Sequence, residues 1–174
     1  MKYQDGVEAV QVTAEAAGVA ADQPAPGHAN INPATGLATD YLNHFNEAIM
    51  LLDMMSSCPD CLDDFLDWRP MSYREHFAAA RFKGREQAVA AYDAADPAIR
   101  SRLDTLAGTM TAVLEATRAA MSAEMPPQTA ATLADRAAAW LKPLVARAGA
   151  VINGEPDAGL PDTPQAVVDG LMKR

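Results

Sequence analysis

Two clusters of side chains in this chain have the types and spacing to do chemistry. Asp40, His44 and Glu47 stand at i, i+4 and i+7, which stacks a carboxylate, an imidazole and a second carboxylate along one edge of a helix. Glu75 and His76 fall early in a later segment that can pack beside it. Imidazole and carboxylate groups on facing helices are how bundle proteins hold metal ions, so His44, Glu47, Glu75 and His76 form one candidate set. The order of the residues departs from the di-iron Glu-x-x-His pattern, since this chain reads His44-x-x-Glu47. Glu75 and His76 are adjacent, and neighbours on a helix diverge by about a hundred degrees. The competing reading makes His44 and His76 shoulder residues bonded to a carboxylate or a carbonyl.

The second cluster is Cys58-Pro59-Asp60-Cys61, a C-x-x-C that reads as a helix start with Pro59 at the first helical position. Exposed amides and the helix dipole stabilise a thiolate there, which suits thiol–disulfide exchange with Cys58 as the attacking group and Glu47 or His44 as proton acceptor. Asp60, Asp63 and Asp64 crowd the same turn and oppose a negative sulfur. In a helical chain this motif looks a little like the alkylhydroperoxidase D and carboxymuconolactone decarboxylase-like family, whose redox members carry a glutamate upstream of a C-x-x-C. Glu47 stands in that place. The family's histidine shortly after the second cysteine is missing, because Asp64 and Phe65 occupy that region, so its proton relay does not carry over. A zinc site would need two further ligands, which His44 and His76 supply only if the chain folds both onto the cysteines.

Ala79-Ala80-Arg81-Phe82-Lys83-Gly84 is similar to the Ala-His-x-Leu-Lys-Gly box of histidine phosphotransfer domains, which are also acidic helical bundles. Ala80 stands where the phosphorylated histidine belongs, so phosphotransfer has no nucleophile at its place. Around these motifs the charge is segregated. Asp53, Asp60, Asp63, Asp64 and Asp67 precede a basic run of Arg69, Arg74, Arg81, Lys83 and Arg85. Such runs are solvated faces or partner-steering surfaces, and here Asp60, Asp63, Asp64, Asp67, Arg81 and Lys83 are the candidate contacts.

The elements that must position these groups read as helices. The chain has 174 residues, abundant alanine and 6% aromatics, which favours helices packed through small side chains. A net charge of −9 disfavours nucleic acid as a partner. Neither a secretory leader nor a bilayer-spanning apolar run is visible, which points to a cytoplasmic protein with its two cysteines as thiols.

The first 31 residues read as a flexible tail ending near Pro24-Ala25-Pro26-Gly27, with His28 solvated. Residues 32–153 form the helical domain, and 154–174 a linker with a short amphipathic helix over Pro164–Met172. Helix one runs from about Thr39 to Met55, with Thr35 or Thr39 as its cap, and a short helix to Trp68 follows. Ser72 and Glu75 make a capping box for a helix over 72–93, on which Tyr73, Phe77, Ala80, Gly84, Ala88 and Ala91 share a face. Asp96-Pro97 opens a bundle-type helix to about Ser122. Thr129 caps the last long helix, which Pro143 kinks or divides and Asn153-Gly154 ends.

The fold expected is an all-α antiparallel bundle of four main helices plus one short one. The leading function is a non-catalytic module that binds another protein through the hairpin over 40–86. Thiol redox chemistry and metal binding are the alternatives. Self-association is open, membrane attachment is not expected, and no cofactor is named by the residues.

Overall fold

A computed structural model describes residues 29–58, 60–81, 83–121 and 124–156. The reading of 1–28 as a tail, with His28 in it, and the helix over 164–172 lie outside the described residues, as does Pro59. Among the described residues the chain is all-α: α1 (Leu42–Met54), α2 (Cys61–Asp67), α3 (Tyr73–Ala79), α4 (Arg85–Ala94), α5 (Pro97–Ala120) and α6 (Pro127–Asn153). None of these helices is long and apolar enough to cross a membrane.

Local rules set most of the helix ends. Asp96 accepts from the amides of Ala98 and Ile99 at 2.7 and 3.3 Å, with Pro97 in the first turn. Ser72 accepts from Glu75 N–H at 3.3 Å while the Glu75 carboxylate takes Ser72 N–H at 2.7 Å, so the capping box is complete. Gly154 ends α6 in the left-handed region. α6 packs along both α1 and α5 through a face rich in alanine, with Ala134, Ala138, Leu141, Ala148 and Ile152 fully buried.

Three expectations are corrected. First, the helix over 72–93 is two helices. The chain turns out at Ala80, and Gly84, at φ 95°, opens α4 in a conformation that other residues avoid, so Gly84 is a turn residue and not a packing contact within one long helix. Second, neither Thr35 nor Thr39 caps α1. A 3₁₀ turn over Thr39–Tyr41 leads straight into it, and buried Thr35 instead donates to Ile152 O at 2.6 Å, tying this loop to the end of α6. Third, of the kink or division expected at Pro143, the division is absent: α6 runs through it as one helix. Pro143 and Ala139, whose carbonyl loses its helical donor, both lie on the exposed side, where water can replace the bond. Thr129 is in the first turn of that helix rather than at its cap, because Pro127 already begins it. Residues just ahead of 32 also contact the domain. Ile31 bridges to Ala38, and Asn30 N–H donates to Asp40 at 2.6 Å.

Gly36 is held at φ 72° against α4, and a Cβ built there meets the Ala91 carbonyl oxygen at 2.9 Å. Gly36→Ala therefore combines left-handed strain with a backbone clash. The expected loss is about 1–3 kcal/mol, read as a lower urea midpoint at unchanged slope.

Candidate functional site

The segment joining α2 to α3 is strapped onto α1 through His44. Trp68, the residue after α2, stacks on the His44 ring at 4.7 Å and 22° and donates its indole N–H to the His44 carbonyl at 3.3 Å. Directly after Pro70, the main-chain N–H of Met71 donates to His44 Nε2 at 3.1 Å. Because Nε2 accepts, the neutral ring carries its proton on Nδ1, which is buried without a hydrogen-bond partner. Burial lowers the His44 pKa from 6.5 to about 4, His76 adds to that effect, and the Arg69 carbonyl acts against it. Arg69 and Arg118 donate to carbonyls at the end of α2, Arg118 to Trp68 O at 2.6 Å, so the strap is clamped from both sides.

His76 lies 6.1 Å from His44 between ring centroids, so the two histidines do share a neighbourhood. The Asp40 main-chain carbonyl lies beside the His76 ring. Burial lowers its pKa, with the Asp40 and Glu47 carboxylates opposing. As a metal set the four residues do not converge. His44 Nε2 is taken by Met71, and the Glu75 carboxylate caps α3. Among the described residues no three His, Cys, Asp or Glu side chains are grouped to hold a metal ion.

The cysteines stand at and just before the start of α2. Helix α2 begins at Cys61, not at Cys58, so the first thiol lies outside the turn whose amides would stabilise a thiolate. Cys58 is half-exposed and Cys61 buried, and both are free. The Cys61 thiol hydrogen-bonds Cys58, and this bond, burial and the charges of Asp64 and Asp60 push its pKa up. The Glu47 carboxylate acts on His76. With one thiol reachable and the other buried and held protonated, a sub-stoichiometric alkylating agent at pH 7.5 should label Cys58 first. Peptide mass mapping reads the order, and equal rates would contradict it.

The charge runs separate into two roles. Asp60, Asp63, Asp64 and Asp67 are all exposed on or beside α2. The arginines are mostly engaged elsewhere: Arg74 pairs with Asp93 at 2.6 Å, and Arg85 donates to Ala80 O at 3.0 Å. Arg81 and Lys83 are exposed in the turn between α3 and α4, away from the helical setting that the phosphotransfer box requires.

A cleft of about 470 Å³ opens on the far side of the strap. Its walls come from Tyr41, from Pro70 to Glu75, from Tyr92 on α4, and from Asp104, Ala107, Gly108 and Thr111 on α5. Tyr73 and Tyr92 stack at 4.4 Å and 16°, and Tyr41 lies 5.1 Å from Tyr73. Each hydroxyl is fixed: Tyr41 donates to Met71 O at 3.0 Å, Tyr73 accepts from Ala38 N–H at 2.9 Å, and Tyr92 donates to the Asp104 carboxylate at 2.7 Å. Sequence reasoning missed Tyr92, Asp104 and Gly108. Only Gly108 left a trace, as a glycine in the interior of a long helix with no packing reason for it.

The fold and site define an all-α protein with a histidine-anchored strap between an acidic helix and a tyrosine-lined cleft. Compared with known proteins, the chain matches no family model, no curated protein and no solved structure.

Proposed function

We propose that this chain is a non-catalytic binding module whose α1–α2 surface receives a basic, amphipathic segment of another protein. The observation that carries the reading is the coexistence of an uninterrupted acidic helix with exposed methionines on the neighbouring one. Asp60, Asp63, Asp64 and Asp67 run along one exposed face at the start of and on α2, and Met50 and Met54, 53% and 43% exposed, stand one turn apart on α1. Glu47 and Met54 fall on the side of the exposed arc of α1 nearer His44, the residue onto which the end of α2 folds. Methionine adapts its shape to apolar anchors, and carboxylates select and orient lysine and arginine. Together they fit the helix-in-groove mode with basic flanks.

The test is titration of a fluorescent basic amphipathic peptide, with an acidic scramble as control. Asp60→Asn, Asp63→Asn, Asp64→Asn and Asp67→Asn combined should weaken binding about a hundredfold and flatten its salt dependence, while circular dichroism stays unchanged. Unaltered affinity in that variant refutes the surface.

The Cys58–Cys61 thiol contact supports a second reading, thiol–disulfide exchange. That reading requires alkylation of Cys58 to reach its full rate below pH 7. A rate that keeps rising through the ordinary thiol range removes it.

A further inference from the structure

We propose that the tyrosine-lined cleft is a binding site for a small organic cation, a primary or quaternary ammonium. This is a second site, on the opposite side of the strap from the surface argued above. Its volume, about 470 Å³, falls in the range of small-molecule pockets, roughly 300–1,000 Å³. Tyr41, Tyr73 and Tyr92 give it an aromatic wall suited to methyl or methylene groups beside a positive charge.

The charges on its walls favour that sign. Asp104 and Glu75, both exposed, line it, and after burial their charges help raise the Tyr41 pKa, so this side of the cleft is electronegative. Arg74, the cation that lines the cleft, pairs with Asp93 at 2.6 Å and lies 5.9 Å from the Tyr92 ring centroid, with Arg100 at 5.6 Å, so that ring already accommodates positive groups. Asp104 accepts from Tyr92 with both oxygens, at 2.7 and 2.9 Å, which fixes the carboxylate and leaves lone pairs for a further donor.

Gly108 adds an independent indication. Asp104, Gly108 and Thr111 share one face of α5, and a Cβ built at Gly108 meets nothing within 4 Å. Glycine inside a helix weakens it by about 0.5–1 kcal/mol relative to alanine, and no neighbouring backbone here demands the missing side chain. Gly108 and Asp104 are both exposed, so the missing side chain leaves the mouth of the cleft open beside the carboxylate.

The experiment uses the full chain, with choline and putrescine as probes. Their uncharged counterparts, 3,3-dimethylbutanol and 1,4-butanediol, serve as controls, and binding is followed by amide chemical shifts and calorimetry. The expected result is saturable binding of at least one cation, with shifts at Tyr73, Tyr92, Asp104 and Gly108, and neither alcohol binding comparably. Asp104→Asn should weaken it about tenfold or more. Gly108→Leu, which fills the cleft while favouring the helix, should abolish binding without lowering the melting temperature. Absence of binding by both cations, equal binding of the alcohols, or unchanged affinity in Gly108→Leu would each overturn the proposal.

Discussion

Trp68→Ala is expected to weaken the fold by about 3–5 kcal/mol, the range for removing a buried tryptophan. The side chain is 8% exposed and belongs to the core cluster with Phe65, Phe45 and Leu52. Its loss removes more than area. The stack on His44 and the indole N–H bond to the His44 carbonyl both disappear, and they are what hold the chain between α2 and α3 against α1. Pro70, Met71 and Ser72 of that same segment line the cleft, so the variant should also lose protection at their end of it. Urea unfolding followed by circular dichroism measures the first effect, and amide exchange at Met71 and Ser72 the second. Trp68→Phe keeps a ring against His44 and should recover more than half of the loss. A Trp68→Ala protein within about 1 kcal/mol of the parent would show that the strap is not anchored there.

Acid should loosen the same segment through His44. Its pKa is lowered from 6.5 to about 4, so the folded state holds the neutral ring and the unfolded state binds the proton more readily. The stabilisation is therefore complete above pH 6.5. It drains away as pH falls from 6.5 toward 4, and no more is lost below that. Between pH 7 and 4.5 the change amounts to about 2 kcal/mol.

Geometry gives the same sign. A protonated ring has no acceptor for Met71 N–H, and Nδ1 is already a buried donor with no partner. His76, the charged or chargeable group facing it from α3, shifts in the same direction, while Asp40 and Glu47 temper the response of His76 alone. In urea titrations at the two pH values, His44→Gln should be less stable than the parent at pH 7 yet lose about 2 kcal/mol less on acidification. Carboxylate titration is common to both proteins and cancels in that difference. Equal losses in parent and variant would assign the acid response elsewhere.

What the residues determine by themselves is whatever a few neighbours can satisfy. The Ser72–Glu75 box, the Asp96-Pro97 start and the Gly154 stop each settle amides or carbonyls within one turn, and all three are legible in sequence. The apolar stripes of α1, α5 and α6 are equally plain, because their period follows from helix geometry alone. The turn at Ala80–Gly84 escaped because its apolar spacing continues as if one helix ran through, while the glycine's left-handed φ belongs to the folded backbone. Tertiary structure alone decided the fate of the polar groups. It buried His44 beneath Trp68, drew Glu47 toward His76, and assembled the cleft from Tyr41, Tyr73, Tyr92 and Asp104. Burial and field act through space, so the ionisation of His44 and the charge of the cleft arise only when segments distant in the chain close around them.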